Sequence, residues 1–304
     1  MQASLFPWND RTGQFSLLRL SVFVLVLAPV LWLGWRAFNH TLGPRPDTEA
    51  IHQAGLWAVR LLAATLAVTP LRYATRFNRL VGVRRMLGLS VLFYALLHLG
   101  LYGLDQGFNP LHIASEIVRR IYLTIGFVVL CGLIILGITS TDGMIARLGS
   151  RRWSRLHGIV YAIAALGTVH FFMQSKLDVS EPIIMGGIFA LLIGERPARR
   201  LFGDLSAPAL IVLASASALA TAGVEALWYS YKTGAPMLMI FSANLDFSYM
   251  VRPAWFVLGA GAVLVTARLL RSLFVGATRR PATRLRSAAV AAQLSSGPQA
   301  GSEA

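Results

Sequence analysis

The sequence predicts an all-α integral membrane protein, and three observations carry that reading. Of its 304 residues, 56% are hydrophobic and 13% charged, about half the charged share usual in soluble domains. The apolar residues fall in runs of about 18 to 25 separated by short charged segments, the length needed to cross a hydrocarbon core of about 30 Å as a helix. The alternating segments of about 10 residues that mark a transmembrane β-barrel are not visible.

Taken in order, residues 1–19 form a short polar leader and residues 20–35 the first apolar run. It follows Arg11 and Arg19 as a signal sequence would. No small-x-small cleavage site succeeds it, so an uncleaved first span is expected. After a polar loop with two prolines, a second span covers residues 52–69, and Pro70 is expected to end it. Residues 71–85 read as a basic loop and residues 86–104 as the third span. Residues 105–120 hold Gly107 and Pro110 and read as a loop with a short interfacial helix. The fourth span is 121–138, followed by a second basic loop at 139–152 and a fifth span at 153–173. Residues 182–194 are a short sixth span that flanking side chains can complete by snorkelling. Residues 208–229 and 253–274 are the seventh and eighth. Residues 278–304, rich in Arg, Ala, Ser and Gly, read as a disordered basic tail. The organisation expected is thus a membrane domain at 1–200, an extra two-span hairpin at 201–277, and the tail.

The charges alternate. Twenty of the 28 Lys and Arg lie in the N-terminal leader, the 2–3, 4–5 and 6–7 connections (counting Arg155 at the edge of the fifth span) and the region from Arg268 onward; seven lie in the other connections. Arg60 stands inside the second span. By the positive-inside rule both termini are cytoplasmic and the number of spans is even, eight here. The net charge of +15 is therefore a matter of topology, and no nucleic-acid partner is needed to explain it. The single cysteine, Cys131, lies mid-run and reads as a small buried hydrophobe. No Cys-x-x-Cys-His sequence is present to attach a haem covalently.

The chemistry lies in the histidines. An ionisable or ligating group inside a span is costly and marks a site. His98 lies roughly 18 Å along the third span, His170 roughly 25 Å along the fifth, and His157 roughly 6 Å along the fifth. Both spans run outward, so His98 and His170 share the outer half of the bilayer, and His157 lies near the cytoplasmic face. Two facing imidazoles at one depth suit the axial positions of a haem iron. The alternative is a pair of core histidines bonded to backbone carbonyls or hydroxyls. In an ideal helix His157 and His170 point about 140° apart. The residue one haem level below His98 on its own face is Arg84, which cannot ligate iron. His40, His52 and His112 read as solvated or structural. Arg60 is a candidate partner for a haem propionate, or snorkels outward. Glu225, the other intramembrane charge, either pairs with Arg60 or reaches the outer surface. No cluster has zinc spacing. No segment approaches a nicotinamide-binding domain.

Five stretches carry a resemblance: GLWAVRLLAATLAVTPLR at 55–72, RRMLGLSVLFYALLHLGLY at 84–102, EIVRRIYLTIGF at 116–127, Thr139–Ser140, and RLGSRRWSRLHGIVY at 147–161 with the following VHFF. They resemble the haem-binding membrane subunit of the bacterial protein-methionine-sulfoxide reductase system, the MsrQ family, within the ferric-reductase-like transmembrane group. The resemblance implies a ferric-reductase-like bundle of six spans in the bacterial inner membrane, holding haem b and FMN. It implies electron passage from the quinone pool or a cytoplasmic flavin reductase to a periplasmic molybdopterin methionine sulfoxide reductase catalytic subunit that repairs oxidised envelope proteins. The chain would be an electron-transfer subunit rather than the catalytic one, solvated by membrane lipid. His98 and His170 match the family's expected haem ligands, with His157 also implicated on the inner-haem or flavin side. Arg84 stands where the wider group has a fourth histidine, and spans seven and eight are an addition. The rival readings are a ferric or cupric ion reductase of the same fold and a haem-free transporter or scaffold.

Overall fold

The computed structural model describes residues 6–9, 13–175, 178–248 and 250–273. The expected disordered tail at 278–304 lies outside the described residues. Within them the chain is helical: α1 (Leu17–Phe38), α2 (Pro46–Thr75), α3 (Val81–Asp105), α4 (Pro110–Arg119), α5 (Ile121–Ile138), α6 (Asp142–Leu156), α7 (Val160–Gln174), α8 (Ser180–Phe202), α9 (Ala207–Thr233), α10 (Met237–Leu245) and α11 (Pro253–Leu273).

Seven helical stretches among the described residues are long and apolar enough to cross a membrane, with α6 and α7 forming one of them. Eight spans were expected, and the difference is α8. Its 23 residues are long enough, roughly 34 Å at 1.5 Å per residue, but they include Glu181, Glu195, Arg196 and Arg199. A helix enclosed by other helices can carry such residues because protein rather than lipid meets them. Glu181 accepts from Arg60 at 3.1 Å, Arg196 Nη2 reaches the Leu66 carbonyl at 3.2 Å, and the Arg199 guanidinium lies over the Tyr73 ring. These partners advance along α2 in step with α8. The two helices therefore run side by side in the same direction.

The core lies between α2, α3, α5, α7 and α8. Leu62 and Leu66 of α2 meet Leu87, Val91 and Tyr94 of α3, Leu133 of α5, Ile163 of α7 and Phe189 of α8. Ala54 and Ala58 are buried on α2, where small side chains let helix backbones approach. The added region uses the same device. Ala214, Ala218, Ala222 and Ala226 form a buried stripe at every fourth residue of α9. That stripe packs on Ile188 of α8 and on Ala254 and Val257 of α11. Phe172 of α7 meets Trp228 of α9 edge-to-face at 4.6 Å.

Three prolines sit inside helices among the described residues, Pro29 in α1, Pro70 in α2 and Pro197 in α8, and a side chain from another helix bonds the backbone beside the first two. Pro70 does not end the second span; α2 continues to Thr75. A proline leaves the carbonyl four residues earlier without its N–H donor, and here the Arg196 guanidinium supplies one to Leu66. Beside Pro29 of α1, the Tyr94 hydroxyl accepts from the Val30 N–H at 3.0 Å and donates to the Val26 carbonyl at 2.7 Å. It replaces the helix's own bond between those two groups. The connections expected as basic loops are shorter than anticipated. Residues 142–156 form α6, broken at Gly149, whose φ of 71° is the left-handed region glycine adopts freely. The interfacial helix expected after Pro110 is α4, and the Asn109 side chain caps it by accepting from the His112 N–H at 3.1 Å.

Glu225 pairs with Arg252 at 2.7 Å and not with Arg60, whose partner is Glu181. Glu225 is fully buried in α9, and Arg252 sits just before α11, after the short α10. Arg60 lies on α2 across α8, and Glu181 is nearer to it. At the opposite end, Asp204 accepts from Arg268 at 3.0 Å and Arg271 at 3.4 Å and lies 3.5 Å from Arg76. It ties the end of α11 to the α8–α9 turn and the end of α2.

Two outcomes are expected. Tyr94→Phe leaves the Val26 carbonyl and Val30 N–H unpaired and lowers stability in detergent by about 1–3 kcal/mol; an unchanged thermal midpoint would remove the bridging role. Partial burial works against ionisation of Asp204, but the Arg268 and Arg271 guanidiniums hold its carboxyl below the usual carboxylate range. Its stabilisation is therefore full above about pH 4 and lost as pH falls through its folded value. The midpoint difference between wild type and Asp204→Asn should be constant from neutral pH down to about 5 and disappear on further acidification.

Candidate haem site

His98 lies near the end of α3 and His170 near the end of α7. The depth inferred from counting residues agrees with the structure, which brings the two rings next to each other. The ring centroids are 6.3 Å apart and the ring planes cross at 89°. Two metal–nitrogen bonds of about 2 Å each, added to half of each ring, span about 6 Å. The rings thus stand at the separation that one metal ion between them requires.

Each ring is held from behind. His98 Nδ1 lies 2.8 Å from the Ile51 carbonyl of α2, and His170 Nδ1 lies 2.7 Å from the Tyr122 carbonyl of α5. A carbonyl can only accept, so each Nδ1 carries the proton and donates it. Each Nε2 then keeps the lone pair a metal needs. This is the outer hydrogen bond by which ligating histidines are usually oriented. Ile51 and Tyr122 lie in the opening turns of their helices, whereas His98 and His170 lie in the closing turns of theirs. The site therefore needs α2 and α5 antiparallel to α3 and α7. Alternating connections between spans supply that arrangement.

Two ligands do not complete a cage for a bare ion, which takes four or more. Among the described residues no group of three or more His, Cys, Asp or Glu side chains converges. Two opposed imidazoles suit a metal whose remaining positions belong to a macrocycle, so the residues present fit a haem.

The other candidates lie elsewhere. His157 opens the turn between α6 and α7. Its Nε2 is 3.2 Å from Thr139 Oγ1, its ring stacks on Trp153 at 4.0 Å, and Trp153 Nε1 donates to the Thr139 carbonyl at 2.9 Å. This knot ties the end of α5 to the start of α7. The break in the helix there also cancels the phase calculated for one continuous helix. Arg84, half-buried at the start of α3, acts electrostatically on both His157 and Arg196. Arg84 and Arg196 are thus the cations near His157, at the end of the bundle away from the histidine pair. Arg60 is taken by Glu181 and lies 5.2 Å over the Trp57 ring. His40, His52 and His112 are exposed, and Cys131 is half-buried. Residue spacing gave no sign of Ile51 or Tyr122, because any residue offers a carbonyl.

Residues 54–168 match the family described as ferric reductase like transmembrane component. The haem-binding subunit MsrQ of the protein-methionine-sulfoxide reductase of Rhodospirillum rubrum is 42% identical over 194 residues, covering 64% of this chain and 91% of that protein. Its counterpart in Xanthomonas campestris pv. campestris is 45% identical over 191 residues, 60% of this chain and 87% of that one. That of Xanthomonas axonopodis pv. citri is 43% identical over 188 residues, 59% and 85%. No solved structure matches.

Proposed function

The chain belongs to the MsrQ family of haem-binding subunits of the protein-methionine-sulfoxide reductase system, and from that premise we propose that it carries electrons outward through one haem b between His98 and His170. The observation that carries the reading is the pair of opposed rings, 6.3 Å apart, each with Nδ1 tied to a carbonyl. Bound there, a haem supplies a one-electron carrier. The chain's own part is to present two neutral imidazoles through Nε2, hold the Nδ1 protons on backbone oxygens, and keep the surroundings poor in water.

Electrons enter at the opposite, cytoplasmic end, where Arg84 and Arg196, beside His157, would attract an anionic donor. The donor in this reading is the quinone pool or a cytoplasmic flavin reductase. The phosphate of the FMN implied by resemblance would find the same cations. The acceptor is a periplasmic molybdopterin methionine sulfoxide reductase catalytic subunit. The setting is the bacterial inner membrane, with eight crossings, α8 included, and both termini cytoplasmic. The direction of α8 beside α2 supports the eighth crossing. The 20-to-7 division of Lys and Arg supports the orientation.

Spectra of purified single variants test the ligands. His98→Ala and His170→Ala should each abolish the six-coordinate b-type signal, and His52, the other imidazole near His98, should not restore it because it is exposed and not held by the Ile51 carbonyl. His157→Ala should keep it while slowing reduction from the cytoplasmic side. Retention of a six-coordinate signal by either of the first two variants rules out the axial pair. Truncation after Arg200 should leave the haem bound, because Ile51, His98, Tyr122 and His170 all precede it. Reporter fusions at Pro110 and Asp178 should signal periplasm and those at Asn78 and Gly149 cytoplasm; a cytoplasmic signal at Asp178 would reverse the orientation of α7.

A further inference from the structure

Each ligand histidine lies against a glycine of the neighbouring helix. A Cβ at Gly55 would stand 3.0 Å from His98 Nδ1 and 3.2 Å from its Cε1. A Cβ at Gly126 would stand 2.7 Å from His170 Cε1, 2.8 Å from Nδ1 and 3.2 Å from Nε2. In both cases the carbonyl that accepts from Nδ1 belongs to the residue four places before the glycine: Ile51 before Gly55, and Tyr122 before Gly126.

That spacing has a physical cause. In an α-helix the carbonyl of residue i accepts from the N–H of residue i+4. It keeps a second lone pair for an outside donor. The side chain of residue i+4 points back toward the N-terminus and covers the turn where that lone pair emerges. At these two positions a Cβ would fall within 3.0 Å of the ring, so the glycine leaves the space in which the flat imidazole lies and reaches the carbonyl. The arrangement occurs twice, on α2 and on α5, in local sequences that do not resemble one another, QAGLW and LTIGF.

Glycines that serve helix packing alone look different here. A Cβ at Gly132, on the same helix as Gly126, would meet Ile163 Cδ1 at 3.0 Å, and one at Gly186 would meet Thr168 Cγ2 at 3.2 Å. Those neighbours are carbon atoms with no bond to make.

We propose that Gly55 and Gly126 are positioning residues for the haem ligands. Each opens a backbone carbonyl to an imidazole Nδ1–H, which sets the rotation of that ring and aims its Nε2 at the iron. The two docks together fix the perpendicular rings, and the hydrogen bond to a carbonyl raises the ligand's electron donation. The glycines thereby help set the reduction potential. The proposal rests on His98 and His170 being the axial pair.

The test uses the full-length protein with its haem, as wild type, Gly55→Ala, Gly126→Ala and the control Gly132→Ala. Perpendicular axial imidazoles give a strongly anisotropic low-spin ferric EPR signal, whereas near-parallel ones give a rhombic signal. Wild type and Gly132→Ala should both show the anisotropic signal with the same midpoint potential. Gly55→Ala and Gly126→Ala should lose that line shape, shift the potential and weaken haem binding by about 10- to 100-fold. Unchanged line shape, potential and affinity in both alanine variants overturn the proposal. An equal change in Gly132→Ala does the same, because it would reveal a general effect of packing. Should a glycine variant fail to fold, nitrogen chemical shifts of ¹⁵N-histidine in the wild-type apoprotein decide the matter. Nδ1-protonated His98 and His170 support the proposal, and an Nε2-protonated form of either overturns it. Wild type that binds no haem, or His98→Ala that keeps its six-coordinate spectrum, speaks against the ligand pair itself and not against the docking of the rings.

Discussion

Inside a lipid-facing bundle, a polar atom that finds no partner in the protein has no water to turn to. This constraint governs how the helices are joined. The most consequential instances are the two imidazole N–H groups donated to the carbonyls of Ile51 and Tyr122. Each bond satisfies a buried donor and joins two helices, α3 to α2 and α7 to α5. Each also leaves the Nε2 lone pair of its ring free. One interaction thus supports both the assembly of four helices and the chemistry between them.

The same constraint explains why helix-breaking residues are tolerated. Pro29 and Pro70 interrupt their helices, and a side chain from a different helix bonds the backbone there: Tyr94 of α3 bridges Val26 and Val30 beside Pro29, and Arg196 of α8 donates to the Leu66 carbonyl that Pro70 leaves free. The repairs fix the register of α3 on α1 and of α8 on α2. Arg196 could not lie at that depth without a carbonyl to bind. Glu225 is likewise kept inside α9 by Arg252. Polar residues that make α8 a poor membrane span by composition are the ones that define its place in the bundle.

The two ends of the molecule differ in kind. At one end two neutral rings face each other. At the other, Arg84 and Arg196 gather near His157, which is stacked on Trp153 and bonded to Thr139. The cationic end suits an anionic donor, and the opposed rings suit an electron carrier held away from it. The helices added after α8 pack by an alanine stripe and hold their own buried ion pair. They contribute neither a facing histidine nor its carbonyl.

Hydrophobic run length, the sign of the connections and the spacing of His98 and His170 are one-dimensional properties. They determined the helical membrane class, most of the spans and the shared depth of the two histidines, because a helix rises by a constant amount per residue. Composition also placed Glu225 and Arg60 inside spans, but it could not pair them. Glu225 found Arg252 and Arg60 found Glu181 because helix neighbours, not sequence distance, select an ion-pair partner. The continuation of α2 past Pro70 was equally illegible, since it depends on an arginine 126 residues away. The backbone carbonyls that orient the histidines carry no residue-type signal. Gly55 and Gly126 read in the sequence as ordinary membrane glycines, and only the fold shows each with an imidazole lying on it. Depth along a helix is written locally; rotation about its axis and the identity of its neighbours belong to the tertiary structure, which alone turned two buried histidines into a facing pair.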